Sequence, residues 1–261
     1  MLHRQEPAEL IVITQPTHAW IAGCLARAWG NEEFGSFAPT QEVCLGAEQH
    51  DIGWLLWENL PTLNPKTGYP HSFRELPTQV HIDIWSGAKQ LALPFGRYVA
   101  LLVSLHGTGL FERFTHWQQS PASAQIVQEF LKHEYAFQEK ITTSLENDPH
   151  YAQYATPEVI KRDRSLIVIW DLLSLALCHG LRSEQQFNQV HTASGETTLT
   201  LTPVNNNATE VKVTPWPFAQ SEVRLVYEGR ILREKFIDEK VMQAALADAE
   251  CIAISTTLCP K

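Results

Sequence analysis

The sequence is short of charge. Of its 261 residues only 19% are charged, and 20 Lys and Arg stand against 29 Asp and Glu, a formal charge of -9. With no basic run to displace counterions from a phosphate backbone, generic nucleic-acid binding is excluded; any phosphate recognised would be small and held locally. Cysteine is scarce too. The five, Cys24, Cys44, Cys178, Cys251 and Cys259, are odd in number and form no C-x-x-C pair, which predicts reduced thiols in a cytoplasmic protein and no disulfide framework. Long apolar runs are missing. The longest, Leu166 to Cys178, is too short to cross a bilayer and contains Asp171, and the opening MLHRQEPAEL has neither the basic start nor the apolar stretch of a secretory leader, so no membrane partner is expected. Walker-type and dinucleotide glycine loops and a serine elbow are also absent, and His133-Glu134 has no histidine four residues after His133, which removes nucleotide cofactors and a zinc-protease helix.

What the chain has is apolar side chain, 44% of residues, including eight tryptophans. That is enough for one large domain or two modest ones without staples. Its pattern changes near residue 185. Before it, apolar residues recur at helical spacing over Pro16 to Trp29, Pro39 to Glu58, Pro77 to Leu93, Gly96 to Leu110, Pro121 to Leu145 and Pro157 to His179, most opened by a proline suited to a first helical turn. After it, alternation predicts short strands at Thr198 to Pro203, Glu210 to Val213, Val223 to Glu228 and Arg230 to Phe236, with turns at Asn205-Asn206-Asn207 and Trp216-Pro217. A helix, Glu239 to Asp248, and a closing strand, Cys251 to Thr257, follow. The fold class expected is mainly α: a helical domain over residues 14–185 and a small β-rich, α+β appendage over residues 186–261, joined by a strand at residues 9–14.

The chemistry sits on the apolar faces of these helices. Asp171 lies in LIVIWDLLSLAL, a helix apolar all round and therefore buried all round. A lone carboxylate there costs several kcal/mol or takes up a proton, so Asp171 calls for an arginine, a hydrogen-bond network or a metal ion. Helical spacing places His50 in line with Val43, Ala47 and Trp54, next to Asp51. It places His18 with Ile21 and Leu25, His81 with Ile84 and Trp85, and His106 with Val99 and Val103. Each has an ordinary reading alone: a core histidine with a hydrogen bond, or an aspartate paired with Arg162 or Arg164. Together, four imidazoles and two carboxylates facing inward from separate helices predict a centre of one or two divalent ions, Mn, Fe, Zn or Mg, held by His18, His50, Asp51, His81, His106 and Asp171.

In this order the residues resemble the HD-domain superfamily, whose pattern is a histidine, a His-Asp pair and a distant aspartate on a metal-binding helical bundle. His18, His50-Asp51 and Asp171 match the pattern, and His81 and His106 match the extra histidines of its dinuclear members. Gln15-Pro16-Thr17-His18-Ala19 and Val103-Ser104-Leu105-His106-Gly107 resemble a bacterial branch of unknown function. The resemblance covers residues 14–180 and implies an HD-like bundle that hydrolyses a small phosphate ester or nucleotide, with Asp51 bridging two ions and Asp51, His81 and His106 as catalytic residues. Arg74, Lys89 and Arg97 are the cations offered to a phosphate. Trp54 stands where many such phosphohydrolases carry a lysine. The same six-ligand order is similar to that of the mixed-valent diiron oxygenases related to myo-inositol oxygenase, and Trp20, Trp54, Trp57 and Trp85 would wall a dry cavity for such chemistry. A third reading is a regulator that binds metal or ligand without turnover. The partner expected is a small phosphorylated molecule, with a homodimer as a candidate assembly.

Overall fold

A computed structural model describes residues 1–204 and 209–261; the turn expected at Asn205 to Asn207 lies outside the described residues. Two short strands, β1 (Leu2–Gln5) and β2 (Leu10–Ile13), open the chain. Helices α1 (Gln15–Ala28), α2 (Thr40–Gln49) and α3 (Trp54–Glu58) follow, then a two-residue ladder of β3 (Leu63–Asn64) and β4 (Tyr69–Pro70). Helices α4 (Thr78–Ala92), α5 (Arg97–Arg113), α6 (Pro121–Glu146) and α7 (Pro157–Cys178) complete the helical layer. Strands β5 (Gln185–His191), β6 (Glu196–Pro203), β7 (Glu210–Thr214) and β8 (Val223–Leu232), helix α8 (Glu239–Ala247) and strand β9 (Cys251–Pro260) end the chain. Helix starts follow the signals in the sequence. Thr14, Ser120 and Thr156 each accept a hydrogen bond from a first-turn amide of α1, α6 and α7, with proline at the opening positions.

The strands form one curled seven-stranded sheet in the order β1-β2-β8-β9-β7-β6-β5. All neighbours are antiparallel except β7 and β9. Alternate residues of β8, Val223, Leu225 and Tyr227, are buried, as expected of a sheet with one covered face. They share a continuous core with Ile21, Leu25, Trp170 and Leu173 of α1 and α7. The Tyr227 hydroxyl donates to the Leu177 carbonyl at 3.1 Å, tying the sheet to the end of α7.

This corrects the expected fold class. The chain is about 49% helix and 21% strand, so it is a mixed α/β structure and not a mainly α bundle with an appendage. Alternation cannot be read in a four-residue strand, so β1 left no periodic signal, and Gln185–His191 is too polar to stand out as β5. The helix expected from Pro39 to Glu58 also divides. It stops at Gln49, turns through His50 to Gly53, and resumes at Trp54. A side chain at Gly53 would place its Cβ 2.5 Å from the Ile84 carbonyl oxygen, so the turn is pressed against α4. Among the described residues, no helix is long and apolar enough to cross a membrane.

Candidate metal centre

Four elements converge on one buried point. His18 comes from α1, His50 from the carboxyl end of α2, Asp51 from the turn after it, His106 from α5 and Asp171 from α7, and all five are buried. Small residues bring the helices close. A Cβ at Gly23 would lie 2.6 Å from the Glu48 Cβ, and one at Gly46 would lie 2.8 Å from the Leu102 Cδ1. Glycine at these positions lets α2 press against α1 on one side and α5 on the other. Two groups result, His18 with His50 and Asp51, and His50 with His106 and Asp171, and within each group the potential ligand atoms all lie within 4.8 Å of one another. These clusters can hold a metal ion.

The hydrogen-bond network shows why a cation belongs there. The Ser174 hydroxyl donates to the Asp171 carbonyl at 2.8 Å, which leaves its oxygen to accept from His18 Nδ1 at 2.7 Å. His50 Nδ1 donates to the Ala47 carbonyl at 2.7 Å. Each neutral imidazole thus spends its one proton outward and turns an Nε2 lone pair inward. The two Nε2 atoms are 3.2 Å apart, and His18 Nε2 is 2.7 Å from Asp51 Oδ2. Asp171 Oδ1 lies 3.5 Å from His50 Nε2 and 3.7 Å from His18 Nε2. Acceptors facing acceptors at these distances repel unless a proton or a metal ion sits between them.

Titration follows from the same geometry. Burial disfavours charge on His50, but the Asp51 carboxylate and the hydrogen bond and charge of Asp171 outweigh it and lift His50 to about 9. Burial likewise pushes both carboxyls upward, and the histidines overcome it. His50 and His18 hold Asp51 below the usual carboxylate range, and His50, His106 and His18 do the same for Asp171. His106 goes the other way, drawn down to about 4 by burial and by charge on His50. Its ring lies 4.6 Å from that of His50, and its buried Nδ1 has no partner. A proton on His50 therefore fills the place of a cation when no metal is bound.

The other expected residues are placed differently. His81 is outside both groups. Its ring meets Trp54 edge-on at 5.5 Å, and it bonds to the Phe73 backbone. Trp54 and Trp85 are buried beside the centre, with Trp85 5.6 Å from His106, whereas Trp20 is 41% exposed. Lys89 is bound to the buried Glu134, and Arg97 to Asp148 and the Ser144 carbonyl. Arg74 lies over the Phe73 ring at 5.2 Å. His179 ends α7 as a neutral group, because burial lowers its pKa while its Nδ1 donates to the His3 carbonyl. Sequence reasoning missed Ser174; its position three residues after Asp171, on the same helical face, is the signal that could have found it.

Comparison with known families adds one result. The match is to the family described as Protein of unknown function (DUF3891), over residues 1–234. The chain belongs to this family. No curated protein and no solved structure matches it. The resemblance to the HD-domain superfamily is corrected accordingly: the matching family is DUF3891, and the curled seven-stranded sheet with β1 and β2 built into it is not an HD-domain bundle. Membership of DUF3891 names no reaction.

Proposed function

We propose that this protein is a metal-dependent hydrolase of a small phosphate ester, working through one divalent ion bound by His18, His50, Asp51, His106 and Asp171. The observation that carries this reading is the inward convergence of the His18 and His50 Nε2 lone pairs on two carboxylates, with the outer ring protons already committed to Ser174 and Ala47. Three imidazoles and two carboxylates suit zinc, iron or manganese better than magnesium, which prefers an oxygen shell. Such an ion supplies Lewis acidity and brings the pKa of a bound water toward neutrality.

The chain's own groups do the rest. Asp51 and Asp171, both held ionised, balance the charge of a dication. His18 and His50 keep their lone pairs inward because Ser174 and Ala47 fix the rings. His106, neutral at pH 7, offers a further nitrogen. With Lys89 and Arg97 engaged elsewhere, Arg74 is the remaining cation for the phosphate, from a loop whose Phe73 stacks on His179.

The test is metal content of protein purified without chelators, in air and anaerobically, with phosphate release followed on a panel of phosphate esters. About one zinc, iron or manganese per chain, and phosphate release lost in Asp171→Ala together with the metal, is the expected result. Reducible iron that consumes oxygen would replace the reading with an oxygenase. A bound metal without turnover on either panel would replace it with a regulator.

A further inference from the structure

On the far side of α7 from this chemistry, a surface groove of about 510 Å³ is built from three distant segments: the loop between α1 and α2 (Gly35, Ser36), the second turn of α7 (Arg162) and the turn joining β5 to β6 (His191, Thr192). It continues past Gly35 and Ser36 into a second concavity of about 330 Å³ whose lining includes Trp29, Phe37 and Thr40. The walls are fixed by hydrogen bonds. Asn31 accepts from the Glu33 and Phe34 amides and donates to the Trp216 carbonyl at 2.7 Å, and the Ala193 amide donates to the Glu33 carbonyl at 2.8 Å. Gly35 has a φ of +69°, a conformation that a side chain would strain.

One charged group lining this groove is left without an ion-pair partner. Arg162 is half-buried, yet among the described residues no carboxylate lies within ion-pair distance of it, although the chain has 29 acids. Its neighbour Asp163 accepts from the Tyr98 hydroxyl at 2.6 Å in the core, and the other arginine of this stretch, Arg164, pairs with Glu112. A half-buried guanidinium without a carboxylate, lining a concave surface, is half of a recognition site.

We propose that this groove binds a small molecule carrying an oxyanion, a phosphate or a carboxylate, with the anionic group on Arg162, flanked by His191 and the Ser36 and Thr192 hydroxyls. The site shares no residue with the metal centre and does not depend on its being loaded.

The test is NMR of the full chain, following the Arg162 Nε–H resonance and the backbone amides of Ser36 and Thr192 during titration with inorganic phosphate and, separately, succinate, against chloride at matched ionic strength. Saturable shifts with either anion are expected, and which one binds tighter assigns the ligand as phosphate-bearing or carboxylate-bearing. Arg162→Gln should weaken that binding by about tenfold or more, and Ser36→Glu, an exposed position that puts a competing carboxylate in the groove, should abolish it with the fold intact. Asp171→Asn should leave it unchanged. Shifts no larger than those given by chloride, or equal binding by wild type, Arg162→Gln and Ser36→Glu, would overturn the assignment.

Discussion

Replacing Ser174 with alanine separates the role of the hydrogen-bond network from that of the ligands themselves. Ser174 touches no carboxylate, but its oxygen accepts from His18 Nδ1 and its proton goes to the Asp171 carbonyl. In Ser174→Ala the His18 N–H is left buried without an acceptor, which costs about 1–3 kcal/mol of stability. The carbonyl of Asp171 loses only its second partner, since it lies in the helical ladder of α7. The larger effect falls on the metal. His18 is no longer held in the tautomer that presents Nε2 inward, and loss of an outer-shell partner of this kind weakens metal binding by about 10–100-fold, or about 1.4–2.7 kcal/mol. Competition against a chromophoric chelator measures the affinity, and urea unfolding of the metal-free protein measures the stability. If stability falls by the expected amount and metal affinity is unchanged, the tautomer argument is wrong and His18 is a core histidine.

Further outcomes follow from the same structure. Because the His50 pKa is raised to about 9, metal must displace a proton below that pH, so affinity should fall by about tenfold per pH unit on acidification, with proton release seen as a buffer-dependent binding enthalpy; a flat affinity between about pH 6 and 8 would exclude it. For the metal-free protein the sign is that of a raised pKa: the proton on His50 contributes stability fully below its ordinary value of 6.5, and that stability is lost as pH rises through about 9. His81→Gln should leave the metal content unchanged while His106→Gln lowers it, measured by elemental analysis; equal losses would place His81 in the centre. Gly53→Ala, whose Cβ would sit 2.5 Å from the Ile84 oxygen and 3.0 Å from the Ala88 Cβ, should lower stability by about 1–3 kcal/mol, and an unaltered melting temperature would show that α3 and α4 are not in tight register.

Much of the centre was legible because a buried charge contradicts its surroundings. Asp171 stands in an apolar helix and His18 and His106 on apolar stripes, and the structure brings all three together with His50 and Asp51. His81 satisfied the same test yet lies outside both groups, because helical spacing fixes only which face a residue occupies and not what it meets there, in this case the Trp54 ring. The fold was less legible. The sheet's first strands, Leu2–Gln5 and Leu10–Ile13, join β8 from the opposite end of the chain, a pairing set by long-range contact that no local window contains. Ser174 and Ala47 were invisible for a related reason: a hydroxyl or a carbonyl becomes an outer-shell partner only through the exact turn of a neighbouring ring.

These details reverse the causal order that the sequence suggests. Read alone, polar residues stranded on greasy helices imply that a cation gathers them. In the structure the two imidazoles at its heart are already held by something else. Ser174 and Ala47 hold the rings of His18 and His50, Gly23 and Gly46 set how close their helices come, and the sheet clamps the end of α7 through Tyr227. A centre fixed this way pays its ordering entropy during folding, so it does not need the metal to fold, unlike a small zinc-dependent domain. Metal then adds stability only by mass action, rising with the logarithm of its free concentration. The metal-free chain should therefore unfold cooperatively, with native far-ultraviolet circular dichroism beforehand, and its melting temperature should climb steadily with added metal. A chain that is disordered until metal is added would mean that the cation does build the fold.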